Sequence, residues 1–241
     1  MYKERLDIVC SRQLASRAKA QDAIQEGRVK VNGCTIKKNS FAVSEEDTIE
    51  IQPREKEFVS RGGYKLKIIF DRFSVSVDDQ IVLDIGASTG GFTDVCLRHG
   101  ARKVYALDVG HLQLDARLDQ DPAVVKMEGR NARDIQPDWF EEPIDFICMD
   151  VSFISCRTIL SHLFQVLPVP HLAVLIKPQV ECGPAALNKH GVLKDKKLQM
   201  KIVNEIKREV LTKYRIVEVI PSPIEGRGGN QEFVLYAEDL R

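Results

Sequence analysis

LDIGASTGGFTDVCLRHG, residues 83–100, is the stretch from which the rest of the chain can be read. An apolar strand delivers Asp84, a turn of small residues follows, and a helix starts near Phe92. Gly86, Gly90 and Gly91 let the backbone turn sharply and approach a ligand closely. Ala87, Ser88 and Thr89 complete a turn that places a ligand over a helix N-terminus and the carboxyl ends of strands. Asp108 closes the next apolar stretch, 24 residues after Asp84, where a carboxylate can accept from two ribose hydroxyls. Together these features suit an adenosine-containing cofactor. The glycines run GxxxGG and not GxGxxG, so the dinucleotide fingerprint is not met. No Gly-Lys-Ser/Thr ends the turn, so a phosphate-binding P-loop is absent as well.

Outward from this turn, continuous apolar runs predict buried parallel strands at 80–87, 102–109, 123–129, 144–152 and 171–178. Helical stretches fall between them. The clearest spans 194–215, with Leu198, Ile202, Ile206 and Val210 at near-helical spacing. Residues 214–239 read as two strands joined by a Gly/Pro-rich loop. The expected fold is α/β, a doubly wound sheet closed by a terminal antiparallel hairpin, with a small α/β domain ahead of it. That hairpin favours an S-adenosylmethionine (SAM) methyltransferase over a dehydrogenase. Domain bounds are expected at 1–51, a charged linker at 52–60, and 61–241.

The first domain has its own signals. RLDIVCSRQL carries apolar residues at helical spacing, and Ser16 can cap a helix that stops at Gly27. Asn32-Gly33 marks a hairpin turn. A short strand is expected in SEEDTIEIQ. Residues 1–40 hold nine Lys/Arg against four Asp/Glu, whereas the remainder holds 26 against 31. A basic head on an acidic body points to a polyanion partner. The candidate contacts are Arg5, Arg12, Arg17, Lys19, Arg28 and Lys30.

Several classes are disfavoured. No apolar run approaches the roughly 20 residues of a membrane span, and MYKERLDIVC puts charges where a secretion signal needs an apolar core. A cytoplasmic setting is expected. The six cysteines show no CxxC pairing, which argues for reduced thiols and against zinc. Four charged residues invite chemistry. Asp150 closes the run IDFICM and Lys177 closes HLAVLI; Lys65 lies in SRGGYKL and Glu232 in GNQEF. A charge that ends a buried strand on the ligand side is harder to assign to simple solvation than a surface charge.

SRGGYKL, DIGASTGGFTD, MDVSFIS, IKPQVE and GNQEF, in this order, resemble the TlyA family, often labelled hemolysin A, whose catalytic domain is FtsJ-like. Residues 5–33 look like an RNA-binding domain of the ribosomal-protein S-four type. The resemblance covers nearly the whole chain and implies SAM-dependent methylation of cytidine ribose 2′-hydroxyls in ribosomal RNA. It also implies that Lys65, Asp150, Lys177 and Glu232 form a catalytic tetrad, that Asp84 to Gly91 form the cofactor turn, and that Asp108 holds the ribose. Ser88-Thr89 departs from the Ala-Pro usual in FtsJ-like turns. The partner implied is ribosomal RNA or a ribosomal subunit, with no metal. Competing readings are an RNA-binding protein with an inactive methyltransferase fold, a methyltransferase acting on base nitrogen or protein, and a membrane-lytic protein. The last would need an amphipathic or spanning segment.

Overall fold

A computed structural model describes residues 3–14, 17–52 and 58–241, and the chain divides into two compact units between Glu57 and Phe58. The division falls inside the stretch expected to be a linker.

In the first unit, β1 (Glu4–Arg5) leads into α1 (Leu6–Ser11), followed by α2 (Arg17–Gln25), β2 (Val29–Val31), β3 (Cys34–Thr35), β4 (Ala42–Val43) and β5 (Ile49–Ile51). β2 is central, antiparallel to β3 and to β5, and β1 pairs with β4. Asn32 and Gly33, both at positive φ, turn β2 into β3, as the sequence predicts. Leu6, Cys10, Ala20, Ile24, Val29 and Val31 form its core. Asp7 is fully buried among them and accepts from Arg5, Arg17 and Gln21. The Arg5 guanidinium, the main cause, holds its carboxyl well below the usual carboxylate range against the opposing effect of burial. Ser16, expected to cap α2, lies outside the described residues.

The second unit begins with α3 (Gly62–Arg72) and then winds β6 (Ile81–Ile85), α4 (Gly91–Arg98), β7 (Lys103–Asp108), α5 (Ala116–Asp119) and β8 (Val124–Glu128). β9 (Phe146–Met149), α6 (Cys156–Val166), β10 (His171–Ile176), α7 (Pro178–Glu181), α8 (Lys196–Leu211), β11 (Tyr214–Pro221) and β12 (Phe233–Leu240) follow. The sheet order is β11-β12-β10-β9-β6-β7-β8. β6 to β10 run parallel, and β12 is antiparallel to both β10 and β11. This is the doubly wound sheet with a terminal hairpin that the sequence predicts.

Alternation along the strands splits the core between the two faces. Leu83, Ile85, Ile147 and Val174 pack with Ile159 of α6 and Ile206 of α8; Val82, Phe146 and Leu175 pack with Leu66 and Ile69 of α3 and Val95 of α4. All five residues of β6 are buried, so the strand has no solvated face and is held in one register.

The topology also fixes where a ligand goes. From β6 the chain runs to β7 on one side and later returns to β9 on the other, which opens a crevice beyond the carboxyl ends of these strands. β12 runs the opposite way, with Phe233 opposite Ile176, so its start lies beside the end of β10.

Candidate active site

Three of the four charged residues singled out for chemistry stand at strand ends on this rim, and the fourth comes from α3. Asp150 follows β9, Lys177 follows β10, and Glu232 directly precedes β12; Lys65 projects from α3. The structure brings all four together. Lys177 Nζ lies 2.5 Å from Asp150 Oδ1, and Lys65 Nζ lies 2.6 Å from Glu232 Oε2 and 4.0 Å from Asp150 Oδ2. The charges therefore alternate along a chain, Lys177–Asp150–Lys65–Glu232. Lys177 is about nine-tenths buried and Glu232 almost fully, so removing one member would strand a charge of the opposite sign.

Glycines let the backbone close on this cluster. Gly86 has φ +82°, and a Cβ there would meet the Asp150 carbonyl oxygen at 2.4 Å. Gly226 passes so near Glu232 that a Cβ would meet its carboxylate at 2.0 Å.

The sequence reading missed three polar groups. Ser152 Oγ accepts from Lys177 Nζ at 2.7 Å, and Gln179 Nε2 donates to Glu232 at 3.3 Å. Glu181, at the end of α7, accepts from Ser155 Oγ at 2.5 Å and from the Cys156 amide at 2.8 Å. It thus ties the segment after Asp150 to the segment after Lys177. The only signal for them was short spacing: Ser152 is two residues from Asp150, and Glu181 four from Lys177.

Two cavities meet at Asp150. The larger, about 600 Å³, is lined by Lys65, Lys177, Ser152 and the turn residues Gly86 to Thr89 and Gly91. The smaller, about 340 Å³, has apolar walls from Ile85, Leu107, Val151 and Ile159, with Asp108 and Asn131 as polar groups. Asp108 accepts from the Ser88 and Gly110 amides at 2.8 and 2.7 Å, and each carboxylate oxygen keeps further accepting capacity. An apolar slot ending in a carboxylate suits a nucleoside, with the purine between the walls and the ribose hydroxyls on Asp108.

Asp84 and Gly90 stand apart from the other turn residues, since neither lines either of these two cavities. Asp84 is fully buried under the turn, where Oδ2 accepts from the Thr93 amide and hydroxyl at 2.9 and 2.7 Å. Oδ1 has no hydrogen-bond partner. Burial pushes the Asp84 carboxyl up to about 7, opposed by the Thr93 hydrogen bonds. Gly90 sits at φ +92°, ahead of α4, and packs toward Leu118.

The basic residues of the first unit are largely self-paired. Arg5 and Arg17 share Asp7 at 3.0 Å each, Arg12 meets Glu4 at 2.6 Å, and Arg28 meets Glu26 at 2.7 Å. Lys30 makes no ion pair among the described residues, and the Lys19 side chain lies outside them. Arg5, Arg12 and Arg17 are exposed in these pairs and leave donors available to a phosphate, whereas the Arg28 side chain is mostly buried.

No group of three or more His, Cys, Asp or Glu among the described residues is arranged to hold a metal ion. No helix among them is long and apolar enough to cross a membrane.

A doubly wound sheet, a glycine turn and a strand-end carboxylate define a nucleoside-binding domain of the methyltransferase type. Residues 58–238 match the FtsJ-like methyltransferase family and residues 4–49 match the S4 domain, and the chain belongs to the TlyA group of FtsJ-like methyltransferases. It is 43% identical over 224 residues to Hemolysin A of Brachyspira hyodysenteriae, covering 92% of this chain and 93% of that one. It is 36% identical over 224 residues to the 16S/23S rRNA (cytidine-2′-O)-methyltransferase TlyA of Mycobacterium tuberculosis, covering 92% of this chain and 84% of that one. A solved structure of a hemolysin-named protein from Streptococcus thermophilus superposes with a TM-score of 0.72 at 35% identity, covering 99% of this chain and 89% of that one.

Proposed function

We propose that the protein transfers a methyl group from SAM to a ribose 2′-hydroxyl of ribosomal RNA, with cytidine as the acceptor, and that it acts in the cytoplasm. The observation that carries this reading is the alternating chain Lys177–Asp150–Lys65–Glu232 at the junction of the two cavities. Relatives named for cytidine-2′-O methylation of rRNA, and the S4 match at the head, support the substrate class.

When bound, SAM supplies an electrophilic methyl group on a sulfonium. The residues present fit it: Asp108 for the ribose, the walls at Ile85, Leu107 and Ile159 for the purine, and Gly86 to Thr89 with Gly91 for the remainder. Asp84 and Gly90 act on this site from below, by fixing the turn. The acceptor hydroxyl enters the larger cavity against Lys177. With SAM held there, the acceptor oxygen would take the methyl group and S-adenosylhomocysteine would be the leaving product, while the hydroxyl proton would pass to Lys177 where it serves as the base, or to water where it serves as a cation. A ribose hydroxyl is a poor nucleophile, so alignment and control of that proton carry the rate. Asp150 and Ser152 aim the Lys177 Nζ, while Glu232 and Gln179 hold the Lys65 end.

Lys177 can act on the hydroxyl as a base or as a fixed cation, and substitution separates the two. Lys177→Ala should lower methylation by at least about 10²-fold, with SAM and RNA affinities nearly unchanged, because the contribution lies in the transition state. Lys177→Arg keeps the charge but cannot deprotonate. A single-turnover rate close to that of the Ala variant assigns the base, and a largely retained rate assigns the cation. Digesting the product RNA to nucleosides reads ribose against base methylation. An active Ala variant, or a methyl group on the base, overturns the reading.

A further inference from the structure

The first unit's arginines are largely taken up by their own acids, whereas a second cationic surface in the catalytic unit is not. Between 189 and 201 the chain carries Lys189, Lys194, Lys196, Lys197 and Lys201 against the single acid Asp195. None of these lysines makes an ion pair among the described residues, and all five are exposed. Asp195 is committed to the helix, since its carboxylate accepts from the Lys197 and Leu198 amides and caps α8.

Three observations separate this from ordinary solvated charge. The first is the helix field: α8 has no acidic residue in its first turn, where the macrodipole favours acids, and instead carries Lys196 and Lys197 there. Cations at that end work against the helix. The second is the stripe. At about 100° per residue Lys197, Lys201 and Arg208 fall within roughly 40° of one another, on the face opposite the buried Ile202, Val203, Ile206 and Val210.

The third is position. α8 follows β10, the strand that leads into Lys177, so its N-terminus lies on the ligand side of the sheet. Asn230, two residues before Glu232, ties its approach to the site by accepting from the Leu193 amide and donating to the Gly191 carbonyl, at 3.0 Å each. His190 and Gly191 line a cavity of about 440 Å³ together with Lys65, Lys177 and Glu232. The lysine stripe therefore starts at the rim of the catalytic cavity and runs away from it along α8.

We propose that Lys194, Lys197 and Lys201, with Lys196 beside them, form a phosphate-tracking surface that holds the RNA strand flanking the acceptor nucleotide. The proposal rests on the methyltransferase reading above. Flexible ammonium groups without partners suit a sequence-independent backbone contact, which positions the strand without specifying its bases. The apolar cavity walls and the tetrad then need to hold only the acceptor nucleotide itself.

The test uses the full-length chain with all three lysines changed to Gln, and a companion with all three changed to Arg. Binding to in vitro transcribed 16S and 23S rRNA is measured across a salt series, together with KM and kcat for methylation. The Gln variant should raise KM by roughly tenfold and flatten the salt dependence of log affinity by about 2, at roughly 0.7 per lost phosphate contact on a single strand. Its SAM affinity and its rate at saturating RNA should hold, and the Arg variant should restore both KM and the salt slope. Equal KM and equal slope for the Gln variant and the wild type, with the wild type methylating normally, would overturn the proposal. So would a loss confined to phosphatidylserine-containing vesicles with RNA binding intact. A wild-type chain that methylates neither RNA defeats the underlying reading instead, and the salt slope still decides whether the stripe binds RNA.

Discussion

Asp84 and Asp108 frame the same turn, yet their environments give them opposite duties. Asp108 reaches a cavity with both oxygens able to accept further, while Asp84 is sealed beneath α4. Asp108→Ala should lose charge-assisted hydrogen bonds worth roughly 1.5–3 kcal/mol, so SAM affinity falls on the order of tenfold to a hundredfold. Calorimetry with the fold intact checks it, and unchanged affinity would remove Asp108 from the site. Asp84 makes a prediction about pH. Its folded-state value, about 7, lies above its unfolded value of 3.8, so the native state holds this proton more tightly. That contribution to stability is fully present below pH 3.8 and is lost as pH rises through about 7. Asp84→Asn keeps the neutral form at every pH, so thermal midpoints at pH 5 and pH 8 should lie closer together than in the wild type. An unchanged spread would mean that Asp84 is ionised throughout. The sequence showed Asp84 as part of a ligand turn, because a strand ending in Asp-x-Gly carries no mark of which way the carboxylate points. Alternation along β6 sends it to the face packed against α4.

At the scale of elements, the strands were legible and the short pieces were not. Five continuous apolar runs gave β6 to β10 because burial on both faces removes the polar alternation that would mark an exposed strand. α3 was harder to read: it starts at Gly62-Gly63, poor helix formers, and its position depends on Phe58, whose ring would lie 2.6 Å from a Cβ on Gly63. α7 is a single turn whose purpose is tertiary. It carries Glu181 to the N-terminus of α6, where the carboxylate caps a helix from outside its own sequence. No local pattern could show that. Glu181→Ala should cost about 1 kcal/mol or more of stability by removing this cap, and should lower kcat more than it raises KM, because the segments that follow Asp150 and Lys177 lose the tie between them. SAM affinity serves as the control. Glu181→Gln, which keeps one accepting oxygen, should recover part of the rate. Equal kcat in all three proteins would leave Glu181 a purely structural cap.

For the whole molecule, the head and the catalytic unit have separate cores and make separable predictions. A chain beginning near Arg54 should fold and bind SAM, yet methylate RNA poorly because the head no longer contributes to anchoring. RNA affinity equal to that of the full chain would remove the head from recognition. The charge asymmetry that pointed to the head was legible as a count, but its arrangement was not. Asp7, Glu4 and Glu26 neutralise most of the head's arginines locally, and the count could not show which arginines meet an acid. The same blindness hid the stripe on α8, because an acidic body average masks a local run of lysines.

The position of β12 has a consequence for how the enzyme comes into being. This strand is made after β11 but sits inside it, between β11 and β10. A growing chain that has reached β11 therefore has an unfilled slot in its sheet, flanked on one side by the apolar edge of β10. Long-range pairing of this kind is slow and leaves strand edges exposed until it is complete. Glu232, which partners Lys65, arrives with that same insertion. Sheet closure and completion of the ion-paired chain are thus one event, and a partly synthesised molecule has the cavity beside Asp108 but not the finished ion-paired cluster. On the proposed mechanism, catalytic competence would then be a built-in report that β12 has been threaded home.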